Sequence, residues 1–182
     1  MKQLFFASVC LLTLLSCGRD EAEMQSENHV KAASSKYEKQ KDPFAKLDGD
    51  VYVYRHYSNS MMKHWYGSGY APVGQHDWSY EGVAFKTSNT PTTLYGLAVY
   101  FNPNNLDCVI ATNQYERTSL EATGYVFREA IGWDAGGTQN GAVPVYKYYR
   151  SSKNGHFYTK NLSELGWGGN GWTYEGIAFY AY

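Results

Sequence analysis

The chain repeats itself. The segment VYVYRHYSNSMMKHWY at residues 51–66 returns without a gap as VPVYKYYRSSKNGHFY at residues 143–158. A second block, WSYEGVAF at residues 78–85, returns in the same order as WTYEGIAF at residues 172–179. A chain built this way uses one supersecondary unit at least twice, and such units bury their apolar faces by packing on one another. The repetition therefore predicts a symmetric scaffold with equivalent surface positions. It argues against one asymmetric catalytic centre.

The stretch between the two copies has room for a third. Residues 97–101 (LAVYF) and 108–112 (CVIAT) read as strands around an Asn-Pro-Asn-Asn turn at 102–105. Residues 125–133 (YVFREAIGW) resemble the W-x-YEG-x-AF block with one residue inserted and the glycine displaced. This copy keeps apolar and aromatic bulk but lacks the His-aromatic-Tyr triplet. The copies are expected at about 51–86, 93–134 and 143–182.

Within each copy the pattern alternates at period two and is rich in Tyr, Val, Phe, Thr and Trp, as half-buried strands require. Asn154-Gly155 precedes a return strand and signals a hairpin. Residues 161–165 (NLSEL) suit one helical turn, residues 166–171 (GWGGNG) a loop, and Glu175-Gly176 a bend between two short strands. Each unit then has about four short strands. Three units predict an all-β, β-trefoil-like domain, because three blades are too few to close a propeller. The alternative is a β-sandwich of hairpin repeats.

The first residues read as a processing segment. Lys2 gives a positive start, and residues 4–15 form an apolar run too short to span a membrane. Leu14-Leu15-Ser16-Cys17 resembles the lipobox of bacterial lipoproteins, which implies a signal peptide at 1–16 and lipid on Cys17. Gly18 stands where an aspartate would retain a lipoprotein in the inner membrane, so the outer membrane is favoured. Residues 17–48 are polar and without period, and are expected to be a disordered tether. The folded domain is expected at 49–182. Of the three cysteines, Cys10 leaves with the signal and Cys17 carries lipid. Cys108 alone remains, so no internal disulfide is expected. It lies in an apolar run and reads as a buried small hydrophobe.

The repeated blocks are similar to an uncharacterised family of secreted and cell-surface repeats, domain of unknown function 5648. Its pattern runs V-Y-R-x-Y, H-F-Y-T, an acidic helical turn and G-W-x-Y-E-G-x-A-F. The third copy matches at residues 145–149, at His156-Phe157-Tyr158-Thr159 and at 171–179. The first matches at His64-Trp65-Tyr66, but with Gly67 in place of the threonine. The resemblance implies an extracellular repeat domain and brings no catalytic residues.

Candidate site residues follow from the repeats. His64 and His156 are equivalent, each followed by an aromatic and then Tyr66 or Tyr158. Such a group could give a polar contact and stacking faces to a sugar. The loops at 67–74 and 166–171 combine glycines with Tyr70 or Trp167, a second kind of contact surface. Trp78 and Trp172 read as core. Glu81 and Glu175 read as structural carboxylates, held by an ion pair with Arg55 and Lys147 or by backbone donors at the bend, and Gly82 and Gly176 as positions that need a backbone angle or close approach a side chain would prevent. No metal-ligand spacing, phosphate-binding loop or matched nucleophile and base is present, and no cofactor is expected. The net charge of -1, without a Lys/Arg cluster, argues against nucleic acid. The sequence thus predicts a lipid-anchored, non-catalytic surface module that binds a glycan. The alternatives are a protein-binding adhesin or envelope-assembly factor, and a glycoside or peptidoglycan hydrolase using Glu81 or Glu175.

Overall fold

The alternating aromatic and β-branched segments form strands, and a computed structural model arranges them as three small antiparallel sheets, one per copy. The structure describes residues 49–69, 71 and 77–182. The expected signal segment, Cys17, the tether and Tyr70 lie outside the described residues. In the first copy β1 (Val51–Ser58), β2 (Lys63–Gly67) and β3 (Trp78–Thr87) pair in the order β2-β1-β3. In the second, β4 (Ala98–Phe101), β5 (Cys108–Ala111) and β6 (Val126–Ala130) pair as β5-β4-β6, with helix α1 (Gln114–Ala122) between β5 and β6. In the third, β7 (Val143–Arg150), β8 (Gly155–Thr159), β9 (Gly168–Gly169) and β10 (Trp172–Ala181) pair as β8-β7-β10-β9. The fold is all-β apart from α1 and short 3-10 turns. Four strands occur in the third copy, and three are described in each of the others.

Strand register makes the copies comparable residue by residue. Arg55 faces Tyr66 and Tyr57 faces His64, just as Lys147 faces Tyr158 and Tyr149 faces His156. In the second copy Phe101 faces Cys108. Phe101 therefore stands at the Arg55/Lys147 position, Cys108 at the Tyr66/Tyr158 position and Asp107 at the Trp65/Phe157 position.

The expected bend at Glu175-Gly176 is instead part of one continuous strand. The ten residues of β10 pair with the eight of β7, and β3 pairs with β1 in the same proportion. The surplus is absorbed at two bulges in β3 and two in β10. Arg55 faces Gly82 while His56 faces Tyr80, which leaves Glu81 out of the ladder; Lys147, Gly176, Tyr148 and Tyr174 do the same around Glu175. Gly82 and Gly176 both have φ +113, and a Cβ at either would meet nothing within 4 Å. The backbone angle, not a close neighbour, requires glycine there.

Second strands meet at the centre of the domain. The Tyr66 hydroxyl donates to the Tyr158 carbonyl (2.9 Å) and accepts from the Tyr158 N–H (2.8 Å). The Tyr158 hydroxyl in turn accepts from the Ile110 N–H (3.1 Å), and the Cys108 thiol lies 3.7 Å from the Tyr66 carbonyl. Each copy thus reaches the backbone of the next. Around this ring pack Val53, Val99 and Val145, at matched positions and all fully buried, with Phe85, Ile131 and Phe179. The Lys63 amine plugs one end, donating to the carbonyls of Asn105 and Asn154 in the two sister copies.

The ends of the third strands close a second ring. Ser88 exchanges two backbone hydrogen bonds with Trp133, and Lys86 exchanges two with Tyr182. Between them, Ala135 donates to the Tyr180 carbonyl and the Tyr180 N–H donates to Asp134. First copy joins second, second joins third and third joins first. Gly67, which departs from the threonine of the repeat pattern, has its reason at another inter-copy contact. The Glu129 carboxylate of the second copy lies where a Cβ at 67 would be, and it accepts from the Ser68 N–H at 3.1 Å.

Candidate functional site

The bulge that expels Glu81 from its ladder aims the carboxylate across β1. There Arg55 Nε lies 2.8 Å from Glu81 Oε2, and His64 Nε2, one strand further, lies 3.8 Å from the same oxygen. The third copy repeats the arrangement: Lys147 Nζ is 3.5 Å and His156 Nε2 3.7 Å from Glu175 Oε2. A second carboxylate reaches each cation from a sister copy. Glu164, in the 3-10 turn after β8, lies 3.5 Å from Arg55 Nη1, and Glu116, in the first turn of α1, lies 3.2 Å from Lys147 Nζ. Both clusters therefore sit on seams, one between the first and third copies and one between the third and second.

The seams differ in what lies beside the histidine. His156 Nδ1 lies 2.6 Å from Asp107 Oδ2, and the buried Asp107 carboxylate also accepts from the His156 N–H (2.8 Å) and the Tyr125 hydroxyl (2.7 Å). Burial pushes this carboxyl up, but the bonds and charge from His156, with the Tyr125 bond, outweigh it and leave its pKa below the usual aspartate value. Beside His64 the Asp107 position belongs to Phe157, whose ring centroid is 4.6 Å from the imidazole. His64 Nδ1 is buried without a hydrogen-bond partner. Burial, reinforced by Arg55 and Arg150, lowers the His64 pKa to about 3, so the ring is neutral.

The seam between the first and third copies opens as a cleft of about 340 Å³. Arg55, Tyr57, His64 and Glu81 line it from one side, and Arg150, Phe157, Glu164 and Trp172 from the other. Both guanidiniums lie over aromatic rings: Arg55 Cζ is 5.1 Å from the Phe157 centroid, and Arg150 Cζ 4.6 Å from that of Trp172. A second cavity, of about 430 Å³, opens between Tyr54, His56, Tyr80, Ser68 and Gly69. In the third copy the matching side chains are Tyr146, Tyr148 and Tyr174, and the Trp167 indole stands edge-on to Tyr174 at 5.4 Å while 76% exposed.

The structure separates the residues singled out by sequence. His64 lines the cleft. His156 lies in the other seam, tied to Asp107. Tyr66 and Tyr158 are fully buried in the central ring, so the expectation of them as ligand contacts is corrected to a packing role. Trp167 is exposed. Trp172, read as core, is half-buried and lines the cleft, while Trp78 is half-buried and packs edge-on against Trp65 at 6.5 Å. Arg150, Tyr57 and Glu164 were not singled out, since their approach to the site depends on how two copies meet. Burial pushes the Cys108 thiol well up, which makes it unreactive. Among the described residues no group of three or more His, Cys, Asp or Glu could hold a metal ion. No helix among them is long and apolar enough to cross a membrane.

Three small antiparallel sheets, with a polar and aromatic cleft between the first and the third, define a domain of the β class. The family described as domain of unknown function (DUF5648) matches residues 52–182, and the chain belongs to that family. No curated protein matches the chain, and no solved structure does.

Proposed function

We propose that this domain is a non-catalytic glycan-binding module, β-trefoil-like in plan, held at the outer membrane of the cell envelope by lipid on Cys17. One observation carries the binding reading: in the cleft between the first and third copies, two carboxylates and two guanidiniums converge beside aromatic side chains, Tyr57, Phe157 and Trp172. Sugars present apolar C–H faces and a rim of hydroxyls. An aromatic floor takes the first, and paired acceptors and donors take the second. Glu81 and Glu164 offer acceptor oxygens, and Arg55 fixes both in place through its ion pairs. The cyclic joining of three copies supports the trefoil-like plan. Glu81 and Glu175 stand in different seams, each beside its own cation.

A glycan array probed with the full chain tests the reading. Trp172→Ala is expected to weaken any sugar captured by wild type by about tenfold or more, as loss of a buried aromatic anchor does. The circular dichroism spectrum should be kept. Undiminished capture by the variant would remove this cleft as the site. The anchoring is tested separately. Cys17→Ala is expected to abolish metabolic labelling with a lipid probe and to release the protein from membranes, and unchanged labelling would refute it.

A further inference from the structure

The cleft between the first and third copies contains two guanidiniums and two carboxylates, but they are not evenly matched. Both carboxylates lean on one cation: Glu81 Oε2 is 2.8 Å from Arg55 Nε, and Glu164 Oε2 is 3.5 Å from Arg55 Nη1. Among the described residues no carboxylate lies within 4.0 Å of Arg150. Its one hydrogen bond runs from Nη2 to the Asn170 carbonyl at 3.0 Å. A guanidinium carries five N–H donors in a planar fork that fits a carboxylate two bonds at a time. Here the guanidinium carbon lies 4.6 Å from the Trp172 ring centroid, and one donor is used within the protein, on the Asn170 carbonyl.

The other seam supplies a contrast within the same molecule. Around Lys147 and His156 stand three carboxylates, those of Glu116, Glu175 and Asp107. That seam provides its own anions. At the open seam the position of Asp107 is taken by the apolar Phe157, and a cation, Arg150, has no anion of its own. The third basic group there, His64, is neutral. A guanidinium without an ion-pair partner among the described residues favours a ligand that brings a carboxylate to its fork.

From this geometry we infer that the cleft takes an acidic saccharide, a pyranose bearing a carboxylate. Arg150, which lies over Trp172, receives the carboxylate, and the sugar ring packs beside it in the cleft lined by Tyr57, Phe157 and Trp172. The inference rests on the glycan reading of the same cleft. Glu81 and Glu164, which share the one positive charge of Arg55, accept hydrogen bonds from the hydroxyls.

Titration calorimetry on the full chain tests it with matched probes: trigalacturonate against its methyl ester, sialyllactose against lactose, and N-acetylmuramic acid against N-acetylglucosamine. At least one acid is expected to bind about tenfold or more tightly than its neutral counterpart, the difference expected for a charge-assisted bidentate pair. The advantage should shrink with added salt. Arg150→Gln should reduce the acid to the affinity of its neutral partner, and Arg150→Lys should recover only part of the difference. Should Arg150→Gln unfold the protein, the acid-against-neutral comparison in wild type decides alone. Equal binding of acid and neutral probes overturns the inference and leaves the glycan reading standing. Discrimination that survives in Arg150→Gln also overturns it. Failure of every sugar overturns both. Arg150-dependent binding of a peptide with a free C-terminal carboxylate, in place of any sugar, assigns the charge to a protein partner and overturns the saccharide.

Discussion

Tyr66→Phe should lower the melting temperature of the domain by about 10 °C, although it removes a single oxygen. That hydroxyl donates to the Tyr158 carbonyl at 2.9 Å and accepts from the Tyr158 N–H at 2.8 Å, and both tyrosines are fully buried. Phenylalanine keeps the ring and opens no large cavity, but it leaves a buried N–H and a buried C=O without partners. Each unsatisfied group costs about 1–3 kcal/mol, so the pair costs about 2–6 kcal/mol. In a domain of this size, each kcal/mol shifts the midpoint by about 3–5 °C. Tyr158→Phe orphans one group, the Ile110 N–H, and is expected to cost about half as much. Tyr115, 87% exposed on α1, serves as control, because its change to phenylalanine should leave the midpoint within about 2 °C. Thermal unfolding followed by circular dichroism checks all three. A Tyr66→Phe midpoint as close to wild type as the control would mean that the central ring carries no net stability.

The repeat was legible because strand periodicity and the recurring YEG block survive in a bare sequence. Local geometry was less so. A Glu-Gly pair suits a bend or a bulge equally, and the choice depends on whether a partner strand continues past it; β1 and β7 do continue, so Glu81 and Glu175 became bulges. Helix α1 did leave a local signal. Asn113 accepts from the Glu116 N–H at 2.8 Å, and Glu116 reaches back to the Thr112 N–H at 2.9 Å, a capping arrangement written as Asn-x-x-Glu. It was passed over because residues 113–124 carry no buried stripe: no helical residue is buried, and only Leu120 packs against the small cluster beneath.

The cleft was the least legible feature. His64 could be found from its repeat, but what makes its seam differ from that of His156 is the exchange of Asp107 for Phe157, two residues aligned only once Phe101 is seen to face Cys108. Repetition predicted equivalent sites. The structure has one seam closed by Asp107 and one left open. Symmetry in the backbone is kept by hydrogen-bonded rings that need particular residues at few positions, which leaves the seams free to diverge.

That divergence sets the expected response to acid. His64 is neutral inside the fold, its pKa lowered from 6.5 to about 3 first by burial and then by Arg55 and Arg150. His56 is lowered in the same direction by burial, and Asp107 lies below its usual 3.8. All three folded-state values are depressed, so the unfolded chain binds protons that the native state refuses. Their stabilisation is present in full above the unfolded values and is lost as pH falls. The loss begins near pH 6.5 with the histidines and continues toward 3, with Asp107 joining below 3.8. A shift of this size on His64 alone is worth on the order of 4 kcal/mol when fully expressed, a large share of the stability of a small domain. Urea unfolding at about pH 7.5, 6, 5 and 4 should show a level midpoint near neutrality and a steep decline below it. His64→Gln places an uncharged amide in the cleft wall and should flatten the decline between about pH 6 and 4, leaving the parts due to His56 and Asp107. A wild-type midpoint unchanged down to about pH 4, or an undiminished slope in His64→Gln, would show that the imidazole meets the proton as readily in the folded domain as in the unfolded chain.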